Sequence, residues 1–229
     1  MGKIIVIDGL DGCGKATQAD ILYNKLKSMG KKAIKADFPN YESLSSGPVR
    51  MYLSGDISNN PNDINPYLAS MFYAVDRGIT YLKQLKEYYD AGYIIIADRY
   101  ISANVIYQGS KFDSKDEAKE YFKWDYELET TKCGIPMEDI TLALTLPIEV
   151  SQKLMSKRYN GDESKKDIHE SNMELLHKSF NNLILACDYL PTIGINWFHI
   201  DCSDGQGWIK SLEEISDIIF EKIKPILES

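Results

Sequence analysis

Residues 3–15, KIIVIDGLDGCGK, decide the fold of this chain. Residues 4–8 are a short apolar run rich in β-branched side chains, which predicts a buried strand. Glycines at positions 9, 12 and 14 end that run, and apolar residues at helical spacing follow as far as Gly30. A strand, a glycine-rich turn and a helix in this order are typical of the first unit of an α/β domain.

The turn GLDGCGK, residues 9–15, matches the pattern GxxxxGK between a predicted strand and a predicted helix. Its glycines let backbone N–H groups turn toward phosphate oxygens, and the helix N-terminus adds partial positive charge. We expect Lys15 to reach the β- and γ-phosphates of a nucleoside triphosphate. The predicted phosphate-binding residues are Gly9, Leu10, Asp11, Gly12, Cys13, Gly14, Lys15, Ala16 and Thr17.

The motif departs from the general pattern at one position. Ala16 stands where a Ser or Thr usually binds Mg²⁺, and Thr17 follows it directly. Mg²⁺ needs few protein ligands when phosphates supply the others. We expect Mg²⁺ to be held through the phosphates, with Asp11, Thr17 or Asp98 contributing directly or through water.

The rest of the chain alternates predicted strands with predicted helices. Strands are predicted at residues 32–37, 93–98, 141–146 and 195–201, and one long helix at residues 65–92. A final amphipathic helix is expected to end near Lys224. The alternation predicts a three-layer α/β sandwich with a five-stranded parallel sheet and helices on both faces, of the P-loop NTPase type. Without repeats or a linker, one domain over residues 1–229 is favoured.

Composition excludes several classes of protein. The chain is 44% hydrophobic and 26% charged, which is ordinary for a globular protein, and its net charge of −8 argues against general nucleic-acid or membrane-surface binding. No apolar run is long enough to span a bilayer. The four cysteines form no CxxC pair, so we expect reduced thiols in a cytoplasmic protein, with neither a zinc site nor a disulfide framework.

Arginine is rare in this chain: four of the 26 Lys and Arg residues are arginines. The planar guanidinium suits sites that grip phosphate or a base edge. Arg99 follows a predicted strand, at the edge where α/β sheets bind ligands. Arg77 shares a helix face with the aromatic Tyr73, and Arg158 precedes a polar loop. Arg50 is the weakest functional candidate.

Six segments together resemble the thymidylate kinase family, and the resemblance covers almost the whole chain. They are IDGLDGCGKATQ, FPNY, FYAVDR, DRYISANVIYQG, GIPMEDITLALTLP and KDIHE. The resemblance implies transfer of the γ-phosphoryl group of ATP to dTMP, giving ADP and dTDP. It also implies a homodimer, and the stripe Leu68, Phe72, Val75 and Ile79 either forms the dimer interface or faces the sheet.

The resemblance also implies roles for individual residues. Arg99 is expected to hold the dTMP phosphate and the transferred phosphoryl group, and Asp11 to meet the sugar 3′-OH or the metal shell. Tyr107 is expected to pack against the deoxyribose and exclude a 2′-hydroxyl. The expected dTMP-binding residues are Phe38, Tyr41, Tyr73, Arg77, Arg99, Asn104, Tyr107 and Gln108. The expected catalytic residues are Lys15, Arg99, Arg158 and Asp11.

Two departures from the family pattern matter. Gly12 is not the arginine that some members carry in the loop, and members with glycine there tend to carry the charge in a mobile lid. Here the lid is expected around residues 158–168, with basic residues Arg158, Lys165 and Lys166 and acidic residues Asp167 and Glu170. Ala103 stands where the family often has serine, with Ser102 beside it.

Two other functions remain open from the residues alone. One is another nucleotide or deoxynucleoside kinase of the same fold. The other is a GTP-dependent switch, which we rank last because a guanine-recognising NKxD motif is absent.

Overall fold

A computed structural model describes residues 1–158 and 173–228. Its strands are β1 (Lys3–Gly9), β2 (Ala33–Asp37), β3 (Ile94–Asp98), β4 (Ile140–Thr145) and β5 (Trp197–Asp201). Its α-helices are α1 (Lys15–Ser28), α2 (Gly47–Leu53), α3 (Pro66–Thr80), α4 (Lys86–Asp90), α5 (Ile101–Tyr107), α6 (Lys115–Tyr126), α7 (Ile148–Arg158), α8 (Met173–Tyr189) and α9 (Leu212–Glu228).

The five strands form one parallel sheet in the order β2-β3-β1-β4-β5. This confirms the predicted five-stranded parallel sheet. β1 is central, and Ile7 on β1 pairs with Asp98 on β3. β3 therefore ends two residues before β1 does at the same edge of the sheet, which brings the turn after β1 and the DRY segment after β3 close together.

The core lies on both faces of the sheet, because successive side chains of a strand point to opposite faces. On β1, Ile4 and Val6 pack with residues of α5, α6 and α8. Ile5 and Ile7 pack on the other face with residues of α1 and α9. Helices therefore cover both faces, as predicted.

Two helices, the one at 65–92 and the last one, differ in detail from the sequence prediction. The long helix at 65–92 contains a π-helical turn, Tyr81–Leu85, between α3 and α4, and α6 continues into another, Glu127–Lys132. The prediction that the last helix ends near Lys224 is wrong, because α9 continues through Pro225 to Glu228. Ile226 and Leu227 pack against the core there, and this burial outweighs the hydrogen bond lost at proline.

The apolar stripe of α3 does not face the sheet. Leu68, Val75 and Ile79 are exposed and Phe72 is half-buried. Met71 and Leu82 extend the exposed stripe, and Leu82 is 64% exposed. Among the described residues, no helix has the length and apolar character needed to cross a membrane.

Candidate functional site

A cavity of about 670 Å³ opens where β1 and β3 end. All eight expected dTMP-binding residues line it: Phe38, Tyr41, Tyr73, Arg77, Arg99, Asn104, Tyr107 and Gln108. Six of the nine predicted phosphate-binding residues line it as well: Asp11, Gly12, Gly14, Lys15, Ala16 and Thr17. The structure therefore brings the two predicted sites into one space.

Gly9, Leu10 and Cys13 are not among the lining residues. The side chains of Leu10 and Cys13 are buried in the cores on opposite faces of the sheet. The Cys13 thiol donates to the Leu10 carbonyl oxygen at 2.8 Å, and burial raises its pKa to about 11. At neutral pH this thiol is protonated and serves packing, so only the backbone of these residues is available to phosphates.

Gly12 lies against α7. Its φ is +86°, and a Cβ atom there would lie 2.6 Å from the Ser151 carbonyl oxygen and 3.1 Å from Met155 Cγ. Any larger residue would require α7 to move. This contact gives a physical reason for glycine, instead of arginine, at this position.

Asp11 connects the cationic groups of the site. Its Oδ1 accepts from Lys15 Nζ at 3.1 Å and from Arg99 Nη2, and its Oδ2 accepts from the Tyr107 hydroxyl at 3.0 Å. Burial alone would raise the pKa of Asp11, but Arg99 and Lys15 outweigh burial and hold it well below its usual value. Asp11 is therefore ionised at neutral pH, and it orders both cations near one point.

Arg99 is held in a strained backbone conformation. Its φ of 66° makes it the one non-glycine residue with positive φ in the described part of the chain, which costs about 1–3 kcal/mol. Its N–H donates to the Ile7 carbonyl oxygen at 3.1 Å, and its guanidinium lies 5.3 Å from the centre of the Tyr107 ring. The end of β1 thus fixes the direction in which Arg99 leaves β3.

The other end of the cavity is lined by Arg77 and Asn104. Arg77 is 1% exposed, and its Nε and Nη2 donate to the two oxygens of Glu129 at 2.6 and 2.5 Å. Asn104 Nδ2 lies 3.2 Å from both Asp125 Oδ1 and Glu129 Oε1. No motif or spacing in the sequence points to these two acids as part of the site.

A third missed acid, Asp76, supports the FPNY loop. Its carboxylate accepts from the backbone N–H of Asn40 at 2.8 Å and from the Ser45 hydroxyl at 2.6 Å. Asp76 lies within the FYAVDR segment, so α3 positions that loop as well as Tyr73 and Arg77. Arg50 donates to the carbonyl oxygens of Tyr41 and Ser43, which agrees with its low functional ranking.

The serine beside Ala103 does not replace a serine at that position. Ala103 lines the cavity, whereas the Ser102 hydroxyl donates to buried Asp8 at 2.5 Å. Asp8 also accepts from the N–H of Gly9 at 2.7 Å. Ser102 and Asp8 therefore fix the start of the phosphate-binding turn.

Oxygen ligands suitable for Mg²⁺ are present beside the loop. Thr17 and Asp98 line the cavity with Asp11, and the Thr17 hydroxyl makes no hydrogen bond within residues 1–158 and 173–228. Burial raises the pKa of Asp98 above its usual value, against the opposing effects of Lys15 and Arg99. No three His, Cys, Asp or Glu side chains cluster around a metal-sized space in the same described residues. This set fits a Mg²⁺ ion that takes most of its ligands from phosphates and water.

The expected lid lies outside the described residues. Arg158 ends α7, but its side chain is not described, and Lys165, Lys166, Asp167 and Glu170 fall in the gap between 158 and 173. Their predicted roles remain predictions.

Comparisons with known proteins agree on one family. The family model for thymidylate kinase matches residues 7–189. A thymidylate kinase from Sulfurihydrogenibium sp. is 31% identical over 72% of this chain and 76% of its own length. One from Brachyspira hyodysenteriae is 28% identical over 98% and 97%.

A solved structure of thymidylate kinase from Candida albicans shares the fold. Its TM-score is 0.69 and its identity 24%, over 98% of this chain and 92% of that one. None of these matches favours another nucleotide kinase. Given the family match over most of its length and the cavity that joins both predicted sites, the chain belongs to the thymidylate kinase family, the ATP-dependent transferases that convert dTMP to dTDP.

Proposed function

We propose that dTMP occupies the cavity between Arg77 and Arg99, and that the ATP phosphates occupy the loop of residues 9–15. One observation carries this proposal: the eight expected acceptor residues and the phosphate-binding loop line a single cavity. Arg99 and Lys15 both contact Asp11, so the cations proposed for the acceptor and donor phosphates meet in the middle.

The base is proposed to lie on Tyr73. This ring is half-buried and supported edge-on by Tyr52, with 6.3 Å between ring centres. Thymine offers carbonyl acceptors and one N–H donor at its edge. Arg77 is the matching donor, and Asn104 Oδ1 and Gln108 Oε1 are buried acceptor oxygens without partners in the described structure.

The sugar is proposed to lie against Tyr107. This side chain is 5% exposed and donates its hydroxyl to Asp11. A ring fixed at its hydroxyl end cannot easily withdraw, so it would oppose a 2′-hydroxyl on the acceptor. Asp11 is then close enough to the sugar for a contact with the 3′-OH.

Phosphoryl transfer depends on positioning and charge stabilisation more than on covalent chemistry. Without phosphates, Asp11 holds Lys15 and Arg99 in place. Bound phosphates would compete with Asp11 for both cations and then share them in the transition state. Thr17, Asp98 or Asp11 would hold Mg²⁺, which would supply further neutralisation of the phosphate oxygens. Arg158 is proposed, from the sequence, to complete the charge.

The exposed stripe of α3 is proposed as a homodimer interface. Five apolar side chains, Leu68, Met71, Val75, Ile79 and Leu82, are each at least 37% exposed along one helix face. A continuous exposed apolar strip of this kind is typical of an interaction surface. We also propose a cytoplasmic location, with which four free cysteines are compatible.

An acceptor panel tests the function. ADP formation from ATP and Mg²⁺ is measured with dTMP, dUMP, the ribose analogue of dTMP, and thymidine. We expect dTMP to give the highest kcat/KM. Thymidine should be inactive, because it lacks the 5′-phosphate that Arg99 is proposed to bind. A preference for thymidine, or for a non-thymine monophosphate, would refute the proposal. Arg99→Gln should remove activity toward dTMP, whereas Lys224→Gln, which changes an exposed cation on α9 outside the cavity, should leave it unchanged.

A further inference from the structure

Two buried carboxyl groups lie behind the base end of the cavity without lining it. Asp125 on α6 and Glu129 on the π-helical turn that follows are both 0% exposed. Both contact Asn104, and Glu129 also contacts Arg77. Their inferred role rests on the proposed function of Asn104 and Arg77 in binding the base.

The contacts of Asn104 fix which end of its amide faces the cavity. Its Nδ2 lies 3.2 Å from Asp125 Oδ1, 3.2 Å from Glu129 Oε1 and 3.4 Å from the Ser70 carbonyl oxygen. All three partners are acceptors, so rotating the amide by half a turn would set its oxygen against three oxygens. Oδ1 is therefore the amide atom that remains available to a ligand, and it has no hydrogen-bond partner within the described residues.

Within residues 1–158 and 173–228, only one of the two acids in this cluster is paired with a cation. Glu129 is ion-paired with Arg77 through two hydrogen bonds, whereas Asp125 has no ion pair in the described structure. Burial, and then the negative charge of Glu129, raise the pKa of Asp125 well above its usual value. Burial therefore favours the protonated form of Asp125. Its Oδ1 accepts from Asn104, and its Oδ2 is buried without a hydrogen-bond partner in the described structure.

We propose that Asp125 and Glu129 are positioning residues for base selectivity, holding the Asn104 amide so that its Oδ1 accepts the N3–H of thymine. Uracil also carries N–H at N3, whereas cytosine has a bare acceptor nitrogen there. A fixed acceptor on Asn104 therefore favours thymine and uracil. It opposes cytosine, because two unpaired acceptors would face each other in a buried site.

Steady-state kinetics with dTMP and dCMP test this role, using Asp125→Leu and Asp125→Asn. Leucine removes the oxygen that accepts from Asn104, whereas asparagine keeps an acceptor oxygen on a side chain of the same shape. We expect Asp125→Leu to raise the KM for dTMP about tenfold, to change kcat less than about threefold, and to lower the dTMP-to-dCMP ratio of kcat/KM at least tenfold. Asp125→Asn should stay within about threefold of the parent protein.

Control variants separate this role from loss of structure. Glu120→Gln changes an exposed acid on the same helix and should leave both constants unchanged. Thermal unfolding shows which variants are folded at the assay temperature. If Asp125→Leu does not fold, Glu129→Gln takes its place. Glutamine would put an amide NH₂ against the donors of Arg77 and Asn104, so the dTMP-to-dCMP ratio should fall in the same direction.

Two results would overturn the inference: a folded Asp125→Leu with an unchanged dTMP-to-dCMP ratio, or an Asp125→Asn that loses as much as Asp125→Leu. Asn104→Ala separates this failure from failure of the proposed site. If Asn104→Ala leaves the KM for dTMP and the ratio unchanged, the base does not bind there. If Asn104→Ala lowers the ratio and Asp125→Leu does not, only the positioning role is wrong.

Discussion

Gly12→Ala tests the contact between the phosphate-binding loop and α7. Two costs are expected. The first is the cost of alanine at φ +86°, about 1–2 kcal/mol for a left-handed conformation. The second is steric, because the new Cβ would lie 2.6 Å from the Ser151 carbonyl oxygen. Relieving that overlap requires α7 or the loop to shift, at a cost of about 1–3 kcal/mol.

Gly14→Ala is the matched control. Gly14 has the same φ of +86°, but a Cβ there would meet no atom within 4 Å. In both variants alanine carries the same conformational cost and reduces the freedom of the unfolded chain in the same way. The difference between their free energies of unfolding therefore isolates the steric cost at Gly12. We therefore expect Gly12→Ala to be less stable than Gly14→Ala by about 1–3 kcal/mol. A protein of this size would show that difference as about 2–12 °C in Tm.

The assay is urea unfolding of the ligand-free protein, followed by circular dichroism, with thermal unfolding as a second measure. Ligands are left out because both glycines line the cavity. If the two variants differ by less than about 0.5 kcal/mol, which is the usual range of contact-free surface changes, α7 does not pack on Gly12 in solution. The contact with α7 would then not explain why position 12 is glycine.

Four further predictions address the proposed roles. Lys15→Met keeps most of a side chain that is only 7% exposed, and should nearly abolish kcat while the thermal unfolding temperature changes little; normal turnover would remove Lys15 from the mechanism. Tyr107→Ala should raise activity on the ribose analogue relative to dTMP, whereas Tyr107→Phe, which loses the hydroxyl that donates to Asp11 but keeps the ring, should keep most of the preference; an equal ratio in all three proteins would place the discrimination elsewhere. Light scattering at micromolar concentration should give the mass of a dimer, and Val75→Lys should shift it toward the monomer; a monomeric parent protein would contradict the interface. Arg158→Ala should lower kcat by about 10³-fold, as for other arginines that stabilise a transferred phosphoryl group, with little change in the Kd for dTMP; a normal kcat would assign the charge to another group.

The sheet and most of the candidate site could be predicted because the signals are local. Buried strands such as β3 are short apolar runs, and the residues that end them are next in the sequence. Tyr73 and Arg77 are four apart on one helix, so their shared face follows from helix geometry. The segment after β3 places Arg99 at the ligand-binding edge for the same reason.

The supporting contacts could not be predicted, because they depend on which helices meet. Asp125 and Glu129 are four apart on one helical face, which resembles an ordinary solvated face until α6 is packed beneath α3 and α5. The contact between Gly12 and α7 likewise joins segments far apart in the chain. The end of the last helix was predicted wrongly because proline usually ends a helix. The packing of Ile226 and Leu227 against the core overrides this local effect, and such a tertiary contact cannot be read from the sequence.

The central place of β1 has a consequence for how the protein is made. β1 is synthesised first, yet its partners are β3 and β4, and β4 is complete only at Thr145. At about 5–20 residues per second, the ribosome needs on the order of ten seconds to reach that point. Until Asp98 has been added, the apolar strand that leads into the phosphate-binding loop has neither neighbour, and from then until Thr145 only β3 is available to it. Its pairing is non-local, which slows folding and leaves an aggregation-prone strand exposed in the nascent chain. We therefore expect co-expression of chaperones to raise the yield of folded protein.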